Sequence, residues 1–217
     1  MKNWSIKAKL SIPLIIACFV VVVFAALSHY RSNILNNQSK AMAQQFIPAI
    51  SDVLNADRDL FQARQALTKL LLSPYDKDKY TEDFLKNSTQ AKERMYSFLT
   101  LLENDQSIAS TTQNFESSFE AWHNESLGII KSLKVDEFDQ SSKNFENLRA
   151  IYDKAGEAAL NKANHLRNKS EIISSRLGLA INTLTLFTIT YLIIISYLGP
   201  KSISHRIIGV TDRLREI

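Results

Sequence analysis

Two unbroken apolar runs and four stretches of heptad spacing organise this chain. The first run, Leu10 to Leu27, reads LSIPLIIACFVVVVFAAL and carries no charge. The second, Leu177 to Leu198, reads LGLAINTLTLFTITYLIIISYL and is also uncharged. A helix of roughly 20 apolar residues crosses a hydrocarbon layer of about 30 Å, so each run predicts a membrane-spanning helix. A cleaved signal peptide is the alternative for the first run, with Lys2, Lys7 and Lys9 as its basic start. Its apolar core would then exceed the usual range of roughly 7–15 residues.

Between the runs, apolar side chains recur in alternating steps of four and three. The first seam runs Phe46, Ile50, Val53, Asp57, Leu60, Arg64, Leu67 and Leu71, widened by Leu54, Phe61 and Leu72. The second is Phe84, Ala91, Met95, Phe98 and Leu102, and the third is Ile108, Thr112, Phe115, Phe119, Trp122, Ser126, Ile129 and Leu133. The fourth is Phe138, Phe145, Leu148, Tyr152, Ala155, Ala159, Leu166 and Ile173. Such a/d spacing predicts helices packed side by side. Pro48 should kink the first helix. Ser73 before Pro74, and Asp136 with Asp139 three residues on, suit helix N-termini. Short turns make neighbours antiparallel, which predicts an all-α, up-down-up-down four-helix bundle flanked by the two spans.

Composition agrees. Gly is 5 and Pro is 4 in 217 residues, so helix breakers are rare, and the single Cys18 excludes an internal disulfide. The net charge of +4 resides at the two ends. Residues 1–9 carry three lysines and no acid, while 31–176 carry 19 basic and 20 acidic groups. A nucleic-acid partner is therefore not expected, because such binders concentrate basic charge on a folded domain. Lys2, Lys7 and Lys9 precede the first span, and Lys201, Arg206, Arg213 and Arg215 follow the second. By the positive-inside rule both ends are cytoplasmic and the intervening domain is extracytoplasmic.

After the second span, Gly199-Pro200 should break the helix, and a new heptad begins at Ile203, Ile207, Val210, Leu214 and Ile217. An amphipathic helix on the membrane surface is the alternative for this segment. The pattern stops in mid-repeat, so a longer chain is expected. GPKSISHRIIGVTDRLREI resembles the first helix of a HAMP linker, and VLNADRDLFQARQALTKLLLS is similar to the first sensor helix of bacterial methyl-accepting chemotaxis receptors. The resemblance implies five segments: a cytoplasmic N-terminus (1–9), a first transmembrane helix (10–30), a periplasmic four-helix sensor (31–175), a second transmembrane helix (176–198) and the start of a HAMP-like linker (199–217). Sensor histidine kinases and membrane-bound nucleotide cyclases share this front end and give the alternative reading.

The resemblance also implies partners: a second copy of the chain in a homodimer, a small-molecule ligand or periplasmic binding protein, membrane lipid in the inner membrane, and a cytoplasmic kinase with its adaptor. Receptors of this kind hold a ligand carboxylate with arginines of the first sensor helix, for which Arg58 and Arg64 are the candidates. Asp57 and Arg64, seven residues apart on the seam, imply either an inter-helix salt bridge that fixes register, a partly wet dimer interface, or part of a ligand pocket, because charges on a seam are costly to bury unless paired. Arg149 and Tyr152 of the adjacent fourth helix complete the candidate set. No catalytic arrangement is visible: His29, His123, His165 and His205 are scattered, and no Cys/His spacing suggests a metal. Neither enzyme activity nor a cofactor is expected.

Overall fold

The computed structural model describes the backbone over residues 6–215 and the side chains over 11–197. Among the described residues, secondary structure is helical throughout. Helix α1 spans Ile6–Ala41, α2 Ile47–Leu72, α3 Lys77–Leu101, α4 Gln106–Thr111, α5 Phe115–Ser132 and α6 Phe138–Arg215. The chain divides into two units, residues 38–168 and residues 1–37 with 169–217.

The first of these units is a four-helix bundle built from α2, α3, α5 and the bundle part of α6. Its centre is aromatic: Phe84, Phe98, Phe115, Trp122, Phe145 and Tyr152 are all fully buried. The second and third heptad seams are buried as expected except Leu133, which is partly buried. The fourth is buried from Phe145 to Ala159 and half-buried at Phe138, Leu166 and Ile173.

The first seam requires a correction. Val53, Leu60 and Leu67 are core residues, but the alternate positions are Ala49, Ala56, Ala63 and Leu70 rather than Ile50, Asp57, Arg64 and Leu71. The latter four lie one residue over and are half-buried. Leu54, Phe61 and Leu72 point to the surface, at 64%, 36% and 81% exposure. The physical reason is size. Alanine lets a helix lie close against its neighbour, and the charged side chains at the margin keep their heads near water.

Helix boundaries follow local chemistry. Pro48 has no N–H to donate, and just before it the chain forms a π-helical turn over Met42–Phe46, closed by the Ile47 N–H donating to the Met42 carbonyl. The expected kink thus takes the form of one widened turn, a known way to absorb an interruption of the helical ladder. Ser73 makes no side-chain cap; Pro74–Asp76 form a 3₁₀ turn and α3 begins at Lys77. Asp136 likewise lies in a 3₁₀ turn, Val135–Glu137, with Asp139 in the first turn of α6. The third predicted helix is two helices, because the chain turns at residues 112–114. There the Thr112 hydroxyl donates to the Ile108 carbonyl at 2.9 Å. Leu133 ends α5 with a left-handed φ of 54°, a conformation that costs a β-carbon residue about 1–2 kcal/mol.

Asp105 caps α4. Its carboxylate accepts the Ser107 N–H at 3.0 Å and pairs with Lys162 Nζ of α6 at 2.9 Å. Bonds from Ser107, then from Lys162, hold this carboxyl at about 2 against an ordinary 3.8. A depressed carboxylate stabilises the fold above its unfolded pKa and loses that contribution as pH falls. Asp105→Ala should therefore cost about 1–2 kcal/mol at neutral pH. The difference from the parent should shrink steadily in unfolding curves taken from pH 4 down to 2.

The second unit consists of the α1 part before residue 38 and the α6 part after residue 168. Two helices of the chain are long and apolar enough to cross a membrane. Their apolar side chains face outward, with Phe19 at 68% and Phe187 at 71% exposure. In water such surfaces would be unsatisfied; in lipid they are at home. Thr183, Thr185 and Thr188 donate back to the carbonyls of Leu179, Ile181 and Leu184, so no hydroxyl of the three is left bare. The expected break at Gly199-Pro200 is not found, since α6 continues to Arg215. A proline removes only one ladder bond, and membrane helices tolerate it. The side chains of Lys2, Lys7, Lys9 and of the Ile203–Ile217 heptad lie outside the described residues.

Candidate functional site

Helix α2 carries the charge cluster Asp57-Arg58-Asp59 in the middle of the bundle. Consecutive helical residues diverge by about 100°, so Asp57 and Asp59 point to different neighbours. Asp57 faces α6: its Oδ1 lies 3.5 Å from Arg149 Nε, an ion pair longer than a hydrogen bond. The Arg149 guanidinium lies 4.6 Å above the Phe61 ring. Burial pushes the Asp57 carboxyl above its ordinary range, Arg149 opposes the shift, and Asp153 adds to it.

Asp59 faces α3 and is 1% exposed. Arg94 Nε stands 2.9 Å from its Oδ2, and Arg58 Nη2 donates to its Oδ1 at 3.0 Å. Tyr152 joins the same layer from α6. Its hydroxyl donates to the Ala91 carbonyl of α3 at 3.3 Å. Burial, with Asp57 and Asp59 near it, raises the phenol far above its usual range. One polar layer therefore ties three helices together.

Of the candidate residues, Asp57, Arg149 and Tyr152 meet in this layer, and Arg58 reaches it through Asp59. Arg64 does not. It sits farther along α2, where Nη1 donates to Glu146 Oε1 at 2.8 Å and Nη2 to Ser142 Oγ at 3.3 Å. Its guanidinium lies 4.3 Å over the Phe145 ring. The expected inter-helix salt bridges are thus present, Asp57 with Arg149 and Arg64 with Glu146, both to α6. Asp59 and Arg94 were not anticipated as site residues. Asp59 was legible as part of the charge cluster, and its burial follows once Ala56 and Ala63 are counted in the seam. Nothing in the spacing marks Arg94 apart from other charged residues of α3.

Chemically, the layer is a set of cation–anion pairs, one of them on the Phe61 ring, in which Asp57 Oδ1, Asp59 Oδ2 and Arg149 Nε make no hydrogen bond among the described residues. Such groups can exchange partners with a charged ligand or hold helix register. Among the described residues no cluster of three or more His, Cys, Asp or Glu side chains is placed to hold a metal ion. The energetics of the Asp59 pair are testable. Removing Arg94 leaves a carboxylate in the core with Arg58 alone, whereas removing Asp59 leaves arginines that reach water, at 55% and 34% side-chain exposure. Arg94→Ala should cost about 2 kcal/mol, and Asp59→Leu less than about 1 kcal/mol. Denaturant titration of both variants checks the order.

A second side-chain group lies between α3 and α5. His123 is half-buried and stacks on Phe84 and Phe119, at ring distances of 5.6 and 5.5 Å. Burial lowers its pKa, Glu120 opposes this and Lys92 reinforces it. Lys92 bridges Glu116 and Glu120 at 2.8 and 2.6 Å.

A family model described as a four helix bundle sensory module for signal transduction matches residues 3–171. No curated protein matches the chain. No solved structure matches it either.

Proposed function

The chain belongs to the family of four-helix-bundle sensory modules for signal transduction, and from that premise we propose that it is the sensing part of a transmembrane chemoreceptor. The bundle lies in the periplasm with up-down-up-down topology and binds a small molecule, directly or through a binding protein. Both termini are cytoplasmic, and a HAMP-like linker from residue 199 passes the signal to a cytoplasmic kinase and its adaptor. The chain itself performs no chemistry and holds no cofactor. The observation that carries this reading is a match to a sensory bundle in a chain that also has two helices long and apolar enough to cross a membrane. A ligand acts by binding one of two helix arrangements more tightly than the other. The layer of Asp57, Arg58, Arg149 and Tyr152, with Asp59 and Arg94, is the place where such a preference acts on three helices together.

The coding sequence downstream of Ile217 tests the output. Long uninterrupted heptads support a chemoreceptor; an α/β catalytic domain would instead make this the sensor of a histidine kinase or nucleotide cyclase. A small molecule that raises the melting temperature of the purified chain supports direct sensing, since saturation at 100 times Kd is worth about 2.7 kcal/mol.

The receptor works as a homodimer. Asp57 and Arg64 find their partners within one chain, so they are not the support for this. The support is an exposed line on α2 with heptad spacing, Ile47, Leu54 and Phe61, at 59%, 64% and 36% exposure. Single cysteines along residues 46–62, in a Cys18→Ser background, should crosslink between subunits with maxima at 47, 54 and 61. Uniform or absent crosslinking in membranes would contradict the dimer.

A further inference from the structure

Arg31 stands just beyond the first apolar run, four residues after Leu27. Its Nε donates to Ser174 Oγ of α6 at 3.0 Å. One turn on, its guanidinium lies against Gly178: a β-carbon there would be 3.4 Å from Nη1, 3.5 Å from Cζ and 3.6 Å from Nη2. The group is thus held by one hydrogen bond and seated flat on a helix that has no side chain at the point of contact. Among the described residues, Nη1 and Nη2 have no acceptor. That leaves four N–H donors of a permanent cation in a fork that matches two oxygens of one phosphate.

Two further observations point to an anion. Ser170, one turn before Ser174, is 7% exposed and its hydroxyl has no partner among the described residues. Depth is the second. Four residues beyond Leu27 is about 6 Å, and three residues before Leu177 is about 4.5 Å. The headgroup layer of a bilayer occupies roughly 5–7 Å on each side of the hydrocarbon. Arg31 therefore sits at phosphate level on the extracytoplasmic side. A cation with unused donors at that level pairs with phosphate or remains unsatisfied.

We propose that Arg31, set by Ser174 and Gly178, is a binding site for a phosphate ester, supplied by the headgroup of an anionic phospholipid in the extracytoplasmic leaflet. The proposal rests on the two-span reading. By holding the guanidinium, both spans share one headgroup and so one depth.

The test uses the full chain in neutral detergent, with native mass spectrometry of added phosphatidylglycerol, diacylglycerol and inorganic phosphate. Wild type should prefer phosphatidylglycerol over diacylglycerol. Arg31→Gln should weaken phosphatidylglycerol by about tenfold, the scale of a charge-assisted hydrogen bond, and leave diacylglycerol unchanged. Gly178→Leu removes no charge but occupies the seat, and should give the same loss. Arg31→Lys, a point charge without the fork, should fall between. Wild-type affinity for phosphatidylglycerol in both Arg31→Gln and Gly178→Leu would overturn the site. Equal displacement of the lipid by inorganic phosphate at matching concentration would overturn the lipid as its source. Alkaline carbonate extraction of membranes separates failure of the two readings. A chain washed off the membrane loses the spans and the lipid site together, whereas a retained chain with unchanged Arg31→Gln affinity loses only the site.

Discussion

Trp122→Ala should remove about 3–5 kcal/mol from the bundle, a large share of the stability of a domain this size. Trp122 is 0% exposed. Its ring lies 5.6 Å from Phe84, 5.9 Å from Phe119 and 6.0 Å from Phe145, so it joins α3, α5 and α6. Truncation leaves a cavity that three aromatic neighbours cannot collapse to fill. Among the described residues the indole N–H has no acceptor, so Trp122→Phe removes an unpaired donor along with part of the volume. Its cost should be about 1–2 kcal/mol, well below that of alanine. Thermal unfolding followed by circular dichroism checks both. Equal losses would mean that the side chain does not pack as described.

Inserting Gly-Gly after Ser174 should abolish ligand-dependent output while leaving the melting temperature of the bundle unchanged. Helix α6 is continuous from Phe138 to Arg215. A small shift of one end of such a helix is delivered to the other, because packed helices settle into discrete arrangements and do not deform smoothly. Two inserted residues turn everything downstream by about 200° and place two flexible residues in the path. The measurement is kinase output against ligand concentration, alongside ligand binding to the same protein. Output that still follows the ligand would rule out transmission along α6. The helix through Gly199-Pro200 strengthens this expectation, since the described backbone carries no break there to relay the motion.

The four-helix bundle was legible wherever large apolar residues mark the core. Phe84, Met95 and Phe98 on α3, and Phe115, Phe119 and Trp122 on α5, are buried where their spacing placed them. On α2 three of the seven seam residues, Ala49, Ala56 and Ala63, are alanine, and alanine carries no pattern strong enough to outweigh a nearby isoleucine or leucine. Ile50 and Leu71 therefore claimed positions that belong to Ala49 and Leu70. That one-residue error also put Asp57 and Arg64 in the seam, where they asked for partners on another helix or another subunit; both find them on α6. Arg149 and Tyr152 were legible because the first and fourth helices of a bundle are neighbours. Arg94 was not, because a long polar side chain on α3 declares no partner until the angle of α2 is known. Pro48 located the irregular turn, but sequence alone does not separate a kink from a π-helical turn. The clasp of Arg31 on Gly178 depends on how two helices meet, which no spacing within either helix encodes.

The central claim is that the bundle lies outside the membrane between two spans. Gly128 of α5 is the place to test it, since a β-carbon there meets nothing within 4 Å. Gly128→Cys in a Cys18→Ser background gives one thiol in the bundle, and Lys2→Cys in the same background gives one at the N-terminus. Both are exposed to a membrane-impermeant maleimide on spheroplasts, before and after lysis. The account predicts labelling at position 128 before lysis and at position 2 only after it. Labelling at position 128 only after lysis would contradict it.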